Sequence, residues 1–244
     1  MKQTLFTITD NRALTGGVME LRAHGDTAAI TAPGQFVNIR LTGKFLRRPI
    51  SVCNVAGDEL TLIYKIVGGG TRQLAAMQPG QTLDLLTGLG NGYDLAPAGD
   101  SPVLLGGGVG TPPMFWLARE LLARGKHVHA VLGFNSAEDV FYEEELRSLG
   151  ADVTVTTVDG SRGVKGFVTD GLPQGYSYFY ACGPEPMLRA VFRATKTSGQ
   201  LSFEERMGCG FGACMGCSCK TLTGYKRICK DGPVLRKEEI AWER

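Results

Sequence analysis

The chain has no apolar run near the ~18 residues of a membrane-spanning helix, so no membrane partner is expected. Met1 to Asp10 alternates polar and apolar residues and lacks the long apolar stretch of a signal peptide. An excess of one sign of charge is nearly absent: 26 basic against 24 acidic residues leave a formal balance of +2, which gives no reason to expect a nucleic-acid partner. There is no internal repeat and no low-complexity tract. Only three histidines occur, His24, His127 and His129, and they form no ligand pattern; they read as surface or strand residues. The paired C-x2-C knuckles of a four-cysteine zinc site are missing. A strict G-x-G-x-x-G fingerprint is missing too.

Two residue types are abundant. Glycine, 34 of 244 residues, is about twice the usual ~7%. Cysteine numbers seven, and five lie between Cys209 and Cys229. An odd, crowded set does not resemble a secreted disulfide framework, so a reducing cytoplasm is the expected compartment. Apolar residues at 43% and charged residues at 20% allow a packed core.

Residues 1–97 read as β-rich, with short runs at Ala28 to Ile30, Phe36 to Leu41 and Leu60 to Val67 between turn signals. They predict a small antiparallel barrel. Residues 98–200 alternate strands and helices. Strands are expected at Val103 to Leu105, His127 to Phe134, Val153 to Val158 and Ser177 to Ala181. Helices are expected at Pro113 to Arg124, Ala137 to Leu149 and Glu185 to Ser198. That alternation predicts a parallel sheet with helices on its faces. Residues 201–244 have little periodicity and read as a small module held by something other than an apolar core.

Cys209-x4-Cys214-x2-Cys217, then Cys229 after eleven more residues, is the plant-type spacing for four thiolates on a [2Fe–2S] cluster. Gly208, Gly210, Gly212 and Gly216 suit a loop whose backbone N–H groups approach sulfur. Zinc or free thiols are the competing readings. Cys219 reads as a spare, with replacement of Cys217 or Cys229 the alternative.

Arg48-Pro49-Ile50-Ser51 sets an arginine fork beside a small hydroxyl at a strand start, which suits a phosphate or a flavin edge. Ile63-Tyr64-Lys65 then leads through a glycine run to Gly70 and Thr71 and an expected helix, Arg72 to Met77, whose N–H groups suit a pyrophosphate. Each piece alone is common; their order is what points to flavin. Gly106-Gly107-Gly108-Val109-Gly110-Thr111 is a strand, a glycine turn and a helix start, with Thr111 where the third fingerprint glycine would stand. Without a ligand it is simply a tight turn. Cys182-Gly183-Pro184 puts Cys182 at the carboxyl end of a sheet, where ligands sit in open α/β folds, or buries it as a small core residue. The loop Asn135 to Asp139 contains no arginine for a 2′-phosphate, which favours NAD over NADP.

Together these residues resemble the ferredoxin–NADP reductase superfamily over the whole chain. The cysteine spacing and Cys229-Lys230-Asp231-Gly232-Pro233-Val234 are similar to the electron-transfer subunits of two-subunit, NAD-linked dihydroorotate dehydrogenases. The short gap before Cys229 reads as a trimmed hairpin.

The resemblance implies FAD on Arg48 to Ser51, Ile63 to Lys65, Gly70 and Thr71. It implies a cluster on Cys209, Cys214, Cys217 and Cys229. NAD is expected at Gly107, Gly108, Gly110, Thr111, Cys182 and Gly183, with Thr111 and Cys182 near the nicotinamide. An FMN-containing catalytic subunit in a heterotetramer, and a place in pyrimidine biosynthesis, are implied as well. NADH donates an electron pair and the cluster takes single electrons, so a flavin between them makes chemical sense. No side chain is expected to act as acid or base.

Three rivals remain: a related reductase serving a hydrogenase, ferredoxin or oxygenase; a redox sensor; and a zinc-stapled binding module. The basic residues Lys226, Arg227, Lys230, Arg236 and Lys237 flank the cysteine segment and suit an acidic partner or plain solvent.

Overall fold

The structure, a computed structural model, describes residues 1–242. The last two positions of the expected 201–244 module therefore lie outside the described residues. The first part contains β1 (Lys2–Ala13), β2 (Val18–Gly25), β3 (Phe36–Arg40), β4 (Arg48–Ala56), β5 (Glu59–Lys65), α1 (Gly69–Ala75) and β6 (Thr82–Leu89). The six strands close an antiparallel barrel in the order β1-β2-β5-β4-β3-β6. Period-two burial explains the closure. On β6, Leu83, Leu85, Thr87 and Leu89 point inward while their neighbours do not. The core that Leu83 and Leu85 meet includes Phe6, Leu21, Val37, Ile39, Leu62 and Tyr64.

The second part has β7 (Val103–Gly107), α2 (Pro112–Ala123), β8 (His129–Phe134), α3 (Glu143–Ser148), β9 (Asp152–Thr157), β10 (Val164–Lys165), β11 (Phe179–Cys182), α4 (Glu185–Ala194) and β12 (Gly199–Ser202). The last stretch adds β13 (Ser218–Thr221), β14 (Gly224–Arg227) and β15 (Val234–Arg236). A seven-stranded sheet runs β10-β9-β8-β7-β11-β12-β15. All its pairings are parallel except β12 with β15. Central β7 is buried at every residue, as a strand covered on both faces must be.

Several sequence expectations change. Ala28 to Ile30 is a turn, closed by Ile30 N–H on Thr27 O and by Ala28 N–H on the Asp26 carboxylate. The helix expected over Ala137 to Leu149 is broken. One tight turn covers Ala137–Asp139, the chain then extends, and α3 begins only at Glu143. The cause is tertiary: Phe141 and Tyr142 are both pulled into buried sites, and Tyr142 adopts a left-handed φ of 64°. Helix α4 stops at Ala194, four residues early. The Thr195 hydroxyl returns to Val191 O, and Lys237 donates to the carbonyls of Thr195 and Thr197. Strands β1, β2 and β6 escaped the sequence reading, as did β10, β12 and β15. Most of these are carried by long-range pairing rather than by local pattern.

The parts share cores. Val18, Cys53 and Ile63 of the barrel pack with Met114, Leu117 and Tyr180 of the second part. Phe36 and Leu89 of the barrel pack with Leu105, Phe179 and Leu235, and with Cys217 and Cys229. Among the described residues no helix is long and apolar enough to cross a membrane.

Candidate functional site

Two motif pairs that are distant in sequence meet in space, and the cysteines form a third group. Arg48 opens β4, and its guanidinium crosses to Gly70 in the first turn of α1. A Cβ on Gly70 would overlap Arg48 Nε. The Arg48 fork is held by the carbonyls of Leu46, at 2.6 Å, and Arg47. Arg-Pro-x-Ser and Gly-Thr are thus brought side by side. Thr71 does not open α1: it is the third helical residue. Its hydroxyl accepts N–H groups from Val67 (2.9 Å) and Gly68 (3.1 Å), which closes the loop before the helix. Pro49, Ile50 and Ser51 are half-buried and pair with Asn38, Val37 and Phe36. Ile63 faces the core shared with the second part. The Tyr64 ring faces the barrel interior instead, where its hydroxyl donates to Asn11 Oδ1 at 3.1 Å. Burial pushes the Tyr64 phenol up to about 12.

The second pair is the glycine turn and the Cys-Gly-Pro turn. A Cβ on Gly110 would overlap the carbonyl of Cys182, so only glycine lets the two turns touch there. The Met187 side chain lies against both Gly107 and Gly183. A cavity of about 640 Å³ opens beside them. Gly107, Gly108, Phe141 and Met187 line it from one side, and Gly17, Val18 and Lys65 of the barrel from the other. Its size suits a nucleotide. Thr111, Gly110, Cys182 and Gly183 do not line it. Thr111 is fully buried against Gly106, and its hydroxyl has no hydrogen-bond partner. Cys182 is half-buried, beside Gly106 and Ser202 in the sheet, and burial pushes its thiol up to about 12. Phe141, Met187 and Lys65 are lining residues whose place depends on the fold; of these, Lys65 was expected at the flavin.

The third group is the cysteines. They pair two and two. Cys209 Sγ accepts N–H groups from Ala213 (3.2 Å) and Cys214 (3.4 Å), and Cys214 Sγ accepts Cys209 N–H (3.4 Å). Cys217 Sγ accepts Cys229 N–H at 3.4 Å. Burial raises the Cys209 thiol, but the surrounding N–H groups outweigh it and bring it well below the usual thiol range. Burial and the neighbouring Cys217 thiol push Cys229 up. Cys217 and Cys229 are each 2% exposed, whereas Cys214 is open to solvent.

Among the described residues no three His, Cys, Asp or Glu side chains converge as a single-ion site. Two thiol pairs fit a two-iron cluster, which needs two ligands per iron, better than one tetrahedral zinc. Met215, with φ 60°, and Gly210 and Gly212, at 78° and 92°, supply the sharp turns of the loop. Arg227 fixes this loop: it donates to Gly212 O at 2.9 Å and grips the Asp231 carboxylate with both ends of its fork. The expected trimmed hairpin is β13–β14, with Leu222 and Thr223 between the strands, and Cys219 lies on it opposite Lys226.

Asn38 joins the cysteine loop to the flavin motif. It pairs with Pro49 across β3–β4, and its Nδ2 donates to Cys209 O at 3.4 Å. Its Oδ1 is buried with no partner. An orphaned acceptor between the two motifs fits a bound group that brings a donor. Asn38 carried no motif of its own; only the fold reveals it.

Comparison with known proteins agrees with this geometry. Residues 204–241 match the iron–sulfur cluster binding domain of dihydroorotate dehydrogenase B. Residues 104–193 match the oxidoreductase NAD-binding domain. A curated relative from Geobacillus sp. (strain WCH70), the electron transfer subunit of dihydroorotate dehydrogenase B (NAD(+)), is 42% identical over 255 residues, with 98% of this chain and 99% of the relative covered. The solved structure of an NADH-dependent reduced ferredoxin–NADP oxidoreductase, studied for flavin-based electron bifurcation, superposes with a TM-score of 0.88 at 28% identity, over 97% of this chain and 90% of that one. A ferredoxin NADP+ reductase from Neisseria gonorrhoeae with bound FAD and NADP shares the fold at a TM-score of 0.69 and 19% identity, over 80% and 90% of the two chains. With the paired cysteines, the barrel and the nucleotide cavity in one molecule, the chain belongs to the family of electron-transfer subunits of NAD-linked dihydroorotate dehydrogenase B.

Proposed function

We propose that this chain moves electrons between NAD and a catalytic dihydroorotate dehydrogenase subunit, as an oxidoreductase using FAD and one [2Fe–2S] cluster. The observation that carries the reading is Asn38. It ties the cysteine loop to the strand bearing Arg48-Pro49-Ile50-Ser51, so a one-electron centre and a flavin motif share one wall of the barrel. Bound FAD supplies the exchange between an electron pair and single electrons.

The chain's own residues bind and orient. The Arg48 fork sets a fixed positive charge beside Gly70, where it favours a phosphate. Ile63 and Ser51 shape the flavin side, and the Tyr64 ring braces the strand from within. Gly107 and Gly108 let a dinucleotide lie close to the backbone. Gly110, Thr111, Cys182 and Gly183 build the turns beneath it rather than its walls. Cys209, Cys214, Cys217 and Cys229 would hold the cluster, the first two from the more open part of the loop and the last two from the buried part. The more open pair, with Cys214 exposed and Cys209 half-buried, would face the partner, and the buried pair would face the barrel. NAD is favoured over NADP, since the loop after β8 offers no arginine; the nearby Arg162 is paired with Glu143 at 2.8 Å. The partner carries FMN, two copies of each subunit assemble, and the compartment is the cytoplasm. Divisions of the chain near residues 97 and 200 separate the flavin, nucleotide and cluster parts.

The test is a visible absorption spectrum of anaerobically purified protein before and after NADH. Flavin bands with a cluster shoulder that bleach on NADH are the expected result. A sample that stays colourless after reconstitution with iron, sulfide and FAD overturns the reading. A second reading, a reductase serving another acceptor, draws on the close likeness to the ferredoxin–NADP oxidoreductase. Dihydroorotate-driven NAD⁺ reduction by the copurified complex separates the two.

A further inference from the structure

Glu20, on β2 of the barrel, is a carboxylate with 1% of its surface exposed. A buried charge needs partners. One oxygen, Oε1, accepts from Arg12 at 2.9 Å and Arg22 at 3.1 Å. Both arginines belong to the barrel. The other oxygen, Oε2, accepts the Tyr142 hydroxyl at 2.8 Å, from the opposite part of the molecule. The Cys53 thiol, fully buried two residues after Ser51, lies against the same hydroxyl.

Tyr142 has an unusual backbone. Its φ of 64° and ψ of 14° are left-handed, which is a strained state for a bulky aromatic. That conformation breaks the helix expected across this segment. It also turns two adjacent rings to different tasks. Phe141 lines the nucleotide cavity and packs edge-on to Phe134 at 5.3 Å. Tyr142 packs edge-on to Phe115 of α2 at 5.2 Å and reaches across to Glu20. Helix α2 begins at the glycine turn beside the cavity. Tyr142 therefore touches the barrel, α2 and the segment lining the nucleotide site at once.

We propose that the Tyr142–Glu20 hydrogen bond is a positioning device for hydride transfer, fixing the nucleotide cavity against the flavin strand. The inference rests on the functional reading above. Its physical basis is the steep dependence of transfer on donor–acceptor placement. A separate tie supports the interface: Arg119 of α2 donates to Asn54 Oδ1 at 2.5 Å and to Val55 O at 2.9 Å on β4. Losing one hydroxyl therefore leaves the two parts docked but less exactly placed. Tyr142 and Glu20 touch neither NAD nor FAD in this scheme; they act through Phe141, α2 and β4.

The experiment is stopped-flow flavin reduction by NADH in the FAD- and cluster-loaded protein, with Tyr142→Phe, Glu20→Ala and the double variant. Tyr142→Phe is expected to slow flavin reduction at saturating NADH about tenfold while the half-saturating NADH concentration moves less than about twofold. FAD and iron content stay at wild-type levels, and deuterium at the transferred position of NADH still slows the step. Glu20→Ala slows it to a similar extent, and the double variant falls no further. An unchanged rate in Tyr142→Phe overturns the proposal. So does a loss that tracks loss of FAD, or single effects that simply add. If wild-type flavin is not reduced by NADH at all, the functional reading itself fails and this inference falls with it.

Discussion

The cysteine loop shows how the same residue type acquires different surroundings. Cys219, Cys217 and Cys229 lie within one short segment, yet the last two are buried inside a core shared with the barrel while Cys219 only packs against its edge. Cys219 sits on a hairpin strand opposite Lys226. Cys217→Ser or Cys229→Ser is expected to abolish the cluster shoulder and the bound iron, while Cys219→Ser keeps both; iron assay and visible absorption read the difference. Gly110 makes a second prediction. Its Cβ would overlap Cys182 O, so Gly110→Ala must push the two nucleotide turns apart. NADH-driven flavin reduction should fall at least about tenfold with FAD still bound, since small displacements near a transfer site are costly. Spacing alone singled out four cysteines as candidates and left Cys219 as an alternative to Cys217 or Cys229. Their two-and-two pairing was not readable, because it depends on the hairpin and on Arg227 holding Gly212.

Elements were legible where the pattern is local. Helix α2 was expected within a residue or so of its observed ends, because Pro112 and Pro113 mark a first turn and apolar residues follow with helical period. Helix α3 was not, since Tyr142 leaves helical geometry to satisfy Glu20 on another part of the chain. Strand β6 was missed although its alternation is clean. It is locked by a polar node. Asp84 receives Arg47 at 2.9 Å and Gln3 at 3.0 Å, with Arg40 at 3.5 Å, so one carboxylate joins β1, β3, β6 and the loop before β4. Burial raises the Asp84 pKa, but Arg47, Gln3 and Arg40 outweigh it and bring it below its usual 3.8. A carboxylate depressed in the fold contributes stability above its unfolded pKa and loses it as pH falls through the folded value. Asp84→Asn should therefore destabilise the protein by about 1–2 kcal/mol at neutral pH. The gap in melting temperature between the two proteins should be flat from pH 5 to 8 and close below about pH 4.

At the scale of the molecule, the last stretch is not an appendage. Strand β15 completes the central sheet beside β12. Asn91, just after the barrel, exchanges hydrogen bonds of 2.8 and 3.1 Å with Val234 and donates its N–H to Gly232 O at 2.7 Å. Trp242 packs between Phe192 and Phe203, with Arg189 stacked 4.6 Å from its ring centre. Removing residues 201–244 would strip β15 and half of β12 and uncover Phe36, Leu89 and Phe179. Such a truncated chain should melt at clearly lower temperature and be cut faster by protease than the full chain, even with FAD in excess. Equal melting and protease resistance would show that the cysteine part contributes nothing to the rest.

The sequence by itself determined the motifs of this protein: the cysteine spacing, the glycine turns, the Arg-Pro-x-Ser segment, and the change from a β-rich part to alternating strands and helices. Those signals are local, and local physics carries them. Tertiary structure alone decided their relations. It set Asn38 between cluster loop and flavin strand, turned Phe141 and Tyr142 in opposite directions, and returned the cysteine segment to the sheet as β15. Each of these depends on side chains far apart in sequence satisfying one buried charge, one apolar face or one unpaired strand edge. No short window of residues contains both partners.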